Sequence, residues 1–212
     1  MIKAILFDFW GTLVEQGVWS PVKQVQNILD IRVQFSEYVV RMERAMMTSK
    51  FEQLKDAFEA VAKEFGATCP PHKMEQLVGM WNKSWMLAKP YDDVADTLQH
   101  LRGEYKLILV SNTDCFGVQR VLDKFGLSHY FDKIYLSCEA GLLKTDKNFM
   151  LNVMDENGLT PDDCAMVGDS LQSDVESAQR LGIKAILIDR KDMRDFKPKI
   201  ISLAELPGAL HD

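Results

Sequence analysis

The sequence is poor in cysteine and histidine, and it contains no Cys-x-x-Cys pair. Cys69, Cys115, Cys138 and Cys164 stand far apart, so neither a structural zinc site nor a disulfide scaffold is expected. The four thiols read as reduced and partly buried. His72, His100, His129 and His211 are scattered, without the short gaps of a metal cluster. Positive charge is also in deficit: 25 Lys and Arg against 31 Asp and Glu leave a net charge of −6. That balance argues against nucleic acid or an anionic membrane as a partner. No apolar run approaches the ~20 residues of a membrane span. Met1-Ile2-Lys3-Ala4 leads straight into a strand pattern, with no signal-peptide layout. A cytoplasmic protein is expected, as a monomer or homodimer.

What remains is ordinary for a globular chain: 212 residues, 47% hydrophobic and 26% charged, enough to bury a sizeable core. Apolar runs bounded by turn signals occur at Ile2–Phe9, Leu107–Val110, Ile134–Leu136, Ala165–Val167 and Ala185–Ile188, with a weaker edge run at Ile200–Leu203. Helical periodicity fills the gaps at Phe116–Phe125, Lys147–Glu156 and Gln172–Leu181, and Gly126 and Gly182 follow two of these as stops. Such alternation predicts a doubly wound, Rossmann-like parallel α/β sheet.

Residues 15–89 read differently. Helical spacing runs through Val22–Leu29, Phe35–Met47, Phe51–Phe65 and Lys73–Met86, broken at Cys69-Pro70-Pro71 and free of any strand signal. The expectation is an all-helical domain over 15–89, inserted into a core formed by 1–14 and 90–212. Pro90 returns the chain to that core, and Tyr91–Arg102 follows as a helix.

Ligands of open α/β sheets gather at the carboxyl ends of the strands, and four polar elements stand at such ends. They are Asp8 with Gly11-Thr12, Ser111-Asn112, Lys144, and Gly168-Asp169-Ser170-Leu171-Gln172-Ser173-Asp174. Each is weak alone. Ser-Asn is commonly a turn, a loop Lys is commonly solvated, and Gly-Asp-Ser opening a helix is a good cap. Their order around one helical insertion is what makes coincidence improbable.

In these elements the chain resembles the haloacid dehalogenase-like (HAD) hydrolase superfamily over essentially its full length. The matching motifs are Asp8-x-Trp10-Gly11-Thr12, Ser111-Asn112, Lys144 and Gly168-Asp169-x4-Asp174. The resemblance implies that residues 15–89 are an α-helical cap and that Asp8 is a nucleophile forming an aspartyl-phosphate. It implies Mg2+ held by Asp8, Asp169, Asp174 and the Trp10 carbonyl, a hard cation among oxygen ligands. Lys144 would shield the charge of the nucleophile and of the phosphoryl oxygens. Gly11, Thr12, Ser111 and Asn112 would bind or frame the phosphate of a small ester.

Trp10 departs from the phosphatase pattern, which carries an Asp there as general acid and base. Its indole cannot exchange a proton usefully, so help worth about 10²–10⁴-fold is absent at that position. One reading is a phosphatase restricted to good leaving groups, or one taking its proton from water or a cap residue. A second is a 2-haloacid dehalogenase, whose relatives resemble Asp-x-Tyr-Gly-Thr here and whose halide needs no proton; Arg41 or Arg44 would then clamp the substrate carboxylate. A third is a non-catalytic binding module. The retained pair Asp169 and Asp174 favours the phosphatase, since displacing halide requires no metal. Within the insertion, Met46, Met47, Phe51, Trp81 and Trp85 read as core more readily than as pocket, Trp19 as part of a mobile flap, and Lys50 as an unsupported Schiff-base candidate.

Overall fold

Every residue of the first strand, Ala4–Phe7 (β1), is buried, which a strand achieves only when both faces of its sheet are covered. The computed structural model describes residues 1–211. After β1 the elements are Val14–Glu15 (β2), helices Pro21–Ile28 (α1), Phe35–Met47 (α2), Leu54–Glu64 (α3) and Pro71–Met86 (α4), and then Lys89–Pro90 (β3). Val94–Leu101 (α5), Lys106–Ser111 (β4), Val118–Phe125 (α6), Lys133–Leu136 (β5), Ser137–Ala140 (α7) and Lys147–Glu156 (α8) follow. The chain continues with Cys164–Gly168 (β6), Ser177–Gln179 (α9), Lys184–Ile188 (β7) and Lys199–Ile200 (β8).

Six strands form one parallel sheet in the order β5-β4-β1-β6-β7-β8. The chain is therefore α/β with a doubly wound parallel sheet, as the strand and helix alternation predicts. Side chains alternate across β1: Ile5 and Phe7 pack with Val94 and Leu98 of α5 and Val121 of α6. Ala4 and Leu6 face the other way, toward Phe149, Met150 and Val153 of α8. At roughly 1.5–3 kcal/mol for each large apolar side chain fully buried, these two layers fix β1 centrally, with Asp8 just past its end.

Strand bounds differ from the apolar runs by at most three residues. The run Ile2–Phe9 shortens to β1 because Trp10-Gly11 turns the chain, Gly11 N–H donating to the Val14 carbonyl. The expected helix Gln172–Leu181 instead opens with a π-helical turn, Leu171–Glu176, before α9. Wider turns of this kind often occur where a side chain must be aimed at a site; here Asp174 is turned inward and fully buried.

Helices α1 to α4 share their own apolar cluster, including Val25, Tyr38, Met42, Phe58, Val61 and Leu77. The segment departs and returns through a pairing too short for sequence periodicity to reveal: β2 runs antiparallel to β3, with Val14 opposite Pro90 and Glu15 opposite Lys89. Leu143, from the stretch leading to Lys144, packs into the helical cluster, so core and insert meet at the sheet's carboxyl edge.

One expectation is corrected. Cys115 and Cys138 are joined as a disulfide with Cα atoms 5.9 Å apart, within bridging range; Cys69 and Cys164 are free. The pair stands 23 positions apart in sequence, and only the adjacency of β4 and β5 brings their following segments together.

Candidate active site

Asp8 N–H donates to the Val167 carbonyl, which holds the residue at the junction of β1 and β6. Its carboxylate accepts from Thr12 Oγ1 at 3.1 Å on one oxygen and from Lys144 Nζ at 2.5 Å on the other. Lys144 Nζ also donates to Asp174 Oδ1 at 2.5 Å. The ammonium is 2% exposed; burial disfavours its charge, but Asp174 and Asp8 outweigh that and hold it protonated well above the usual range.

Oxygens of Asp8, Asp169 and Asp174 lie within 4.8 Å of one another. Burial first, then the charge of Asp8, raises the carboxyls of both Asp169 and Asp174. One ammonium therefore does not neutralise this cluster. A hard cation accepting oxygen ligands would, so the donor set fits Mg2+. Two glycines make the crowding feasible. Gly11 has φ +77°, and a Cβ there would come 2.5 Å from Asp169 Oδ2; a Cβ on Gly168 would overlap the Asp174 carboxyl. Ser170 N–H steadies Asp174 Oδ2 at 2.9 Å. Arg194 donates to the Asp169 carbonyl, and Arg190 Nη2 to the Thr12 carbonyl at 2.7 Å.

Asn112 is a two-sided clamp. Its Oδ1 accepts from the Lys144 backbone N–H at 2.8 Å, and its Nδ2 donates to Glu43 Oε2 of α2 at 2.9 Å. Ser111 is fully buried, and its hydroxyl has no hydrogen-bond partner among the described residues. That is an open donor beside the site, of the kind a phosphoryl oxygen could engage.

Insert and sheet edge enclose a cavity of about 160 Å³. Asp8, Trp10, Asn112, Lys144, Asp169 and Asp174 line it, whereas Gly11, Thr12 and Ser111 do not. Thr12 acts through Asp8, and Gly11 lines a separate outer cleft beside Trp19. The Trp10 ring stands edge-on to Phe9, with centroids 4.9 Å apart. Among the residues of the insert singled out above, Met47, Trp81 and Trp85 line the cavity, while Met46 is fully buried and Phe51 packs on the helical cluster. Trp19 is 68% exposed, under Lys23.

Arg41 is turned away, paired with Glu37 and Glu64 and lying over Phe65. Arg44 is exposed, and Lys50 reaches only Glu139, at 3.7 Å. Sequence reasoning passed over Glu43, which on an amphipathic helix looks like any solvated charge. It also passed over Asp114, whose two carboxylate oxygens accept from Trp81 Nε1, Phe116 N–H and Gly117 N–H.

The chain is similar to known proteins along most of its length. The chain is 26% identical to the glyceraldehyde 3-phosphate phosphatase of Methanopyrus kandleri, over 94% of this chain and 89% of the relative. It is 32% identical to the N-acylneuraminate-9-phosphatase of Mus musculus, over 91% and 84% of the two chains. Its fold matches the magnesium-bound HAD-hydrolase YfnB of Bacillus subtilis at a TM-score of 0.70 and 20% identity, covering 100% of this chain and 99% of that one. Residues 2–182 match the family model described as haloacid dehalogenase-like hydrolase, and the chain accordingly belongs to that family of hydrolases.

Proposed function

We propose that the protein is a Mg2+-dependent phosphatase that hydrolyses a small phosphate ester through an aspartyl-phosphate on Asp8. The observation that carries this is the convergence of Asp8, Asp169 and Asp174, with Lys144 bridging the two buried members Asp8 and Asp174. We also assign residues 15–89 as the cap, with 1–14 and 90–212 as the core.

In this reading Asp8, Asp169, Asp174 and the Trp10 carbonyl would hold Mg2+, and the ion would supply positive charge to offset that of the carboxylates and the phosphate. Thr12 and Lys144 keep the Asp8 carboxylate fixed, so no reorganisation is needed before attack. Lys144 supplies the positive charge that lets one anion approach another. The Asn112 amide borders the volume where phosphoryl oxygens would sit, and the neighbouring Ser111 hydroxyl, buried and without a partner among the described residues, lies outside the cavity lining. Relatives that share most of the chain's length are named as phosphatases of glyceraldehyde 3-phosphate, N-acylneuraminate 9-phosphate and phosphoglycolate, which supports a phosphate ester of a small metabolite as substrate. Trp10 leaves the usual proton donor missing from the first motif and so narrows the esters that are cleaved quickly.

A dehalogenase reading draws support from the aromatic at position 10. It loses support from the cavity wall, where among the described residues no arginine stands ready to clamp a substrate carboxylate. The test compares phosphate release from an aryl phosphate with Mg2+ and with EDTA, and halide release from a 2-chloroacid. Phosphate release that stops with EDTA and with Asp8→Asn is expected. Halide release surviving EDTA, with no phosphate release, would overturn the proposal.

A further inference from the structure

We propose that Glu43, reaching from α2 into the cavity, is the catalytic acid and base that the first motif lacks; this rests on the phosphatase reading above. Phosphoryl transfer places attacking and leaving oxygens in line across phosphorus. Asp8 attacks from the carboxyl edge of the sheet, so the leaving oxygen must point away from that edge, toward the insert. The insert's side of the cavity consists of Gln16, Val22, Glu43, Met47, Trp81, Ser84 and Trp85. Of these, only Glu43 has a proton that can be given and retaken near neutral pH.

The nearby alternatives are committed elsewhere. Asp114 also lines the cavity, but it belongs to the loop after β4 rather than to the insert, and both its oxygens are taken up by three hydrogen bonds. Lys144 is held between Asp8 and Asp174. Glu43 is tied by one oxygen only, Oε2, to Asn112 Nδ2, and no hydrogen bond engages Oε1 among the described residues. The same Asn112 grips the Lys144 backbone, so proton donor and nucleophile are registered through a single amide. Burial, with Asp174 and Asp8 adding to it, pushes the Glu43 carboxyl up to about 7 against the opposing pull of the Asn112 hydrogen bond and Lys144. That value suits a group that must act in both directions.

The step balances. As Asp8 Oδ bonds to phosphorus and the ester P–O bond breaks, the Glu43 proton passes to the departing oxygen and an alcohol leaves. Glu43, now a carboxylate, takes a proton from the water that attacks phosphorus; the Asp8–phosphorus bond breaks, inorganic phosphate leaves and Glu43 is protonated again.

The experiment measures kcat/KM with Mg2+ for aryl and alkyl phosphates spanning a range of leaving-group pKa. Glu43→Gln keeps an oxygen for Asn112 but removes the proton. It is expected to slow alkyl esters by about 10²–10⁴-fold while leaving nitrophenyl phosphate within about tenfold, and Trp10→Asp added to it should recover the alkyl esters selectively. A uniform loss across the series, or none, would overturn the assignment while leaving the phosphatase reading intact. If Glu43→Gln does not fold, the wild-type series itself decides: a shallow dependence on leaving-group pKa that steepens in Glu43→Asp supports the proposal, and one already steep in the wild type refutes it. A wild type that releases no phosphate from any ester removes the phosphatase reading and Glu43's role together.

Discussion

Trp81 donates its indole N–H to Asp114 Oδ2 at 2.8 Å, and both groups are buried. This hydrogen bond crosses from α4 of the insert to the loop after β4, so it fastens the roof of the cavity to the strand end that carries Ser111 and Asn112. Burial raises the Asp114 carboxyl despite its three donors, which marks how little solvent reaches it.

Trp81→Phe keeps the edge-on packing against Phe58 and removes the donor. A buried acceptor left short of a partner costs about 1–3 kcal/mol. Urea unfolding should show a loss of that order. In a double-mutant cycle, Asp114→Asn should couple to Trp81→Phe; additivity of the two would mean that the bond contributes nothing.

Asp169→Asn should invert the response to Mg2+. Its charge is buried and repelled by Asp8 and Asp174, so without metal the variant is expected to melt above the wild type. With Mg2+ at ~100 times its Kd the wild type gains about 2.7 kcal/mol and should overtake it. Thermal melts with EDTA and with Mg2+ check this crossing; parallel shifts in the two proteins would place the metal elsewhere.

The strand-end residues were legible because an apolar run that stops abruptly at Asp8, Ser111 or Asp169 marks both the strand and its functional end. Other features were not. Val14–Glu15 and Lys89–Pro90 pair over two residues each, too few for any period to register. Glu43 was invisible because its importance comes from the height of α2 above β4, a tertiary quantity. Cys115 and Cys138 pair through strand adjacency, which spacing in sequence does not encode. Arg41 shows the converse: as a cation of the helical insertion it offered a clamp for the dehalogenase reading, yet Glu64 and Glu37 hold it outside.

Glu43 should also leave a mark on stability. Its carboxyl rises from the usual 4.5 to about 7, chiefly by burial, so between those values the folded protein binds a proton that the unfolded chain has released. Stability then falls as pH rises through that window. Glu43→Gln should make this stretch of a urea-midpoint profile recorded from pH 4.5 to 8 shallower, the remaining slope coming from Asp169 and Asp174, whose carboxyls are also raised. An unchanged profile would show that Glu43 titrates as an exposed carboxyl.

The Cys115–Cys138 bond closes a loop of 23 residues in separation, for which chain entropy suggests roughly 3 kcal/mol. Cys115→Ser should lower the urea midpoint accordingly, and dithiothreitol should lower the wild type to the same level without affecting the variant. A wild type indifferent to the reductant would mean the bond adds no stability.

The two-residue hairpin of β2 and β3 bears on how such proteins diversify. Because Glu15 and Lys89 are neighbours across one ladder, the whole helical segment is entered and left through a gap about 4.8 Å wide. A different segment could be grafted there without displacing β1 or the nucleophile that follows it. Substrate choice and bond-breaking chemistry can then change hands separately, and a chain that loses its usual acid from the sheet can acquire another from whatever is grafted above it.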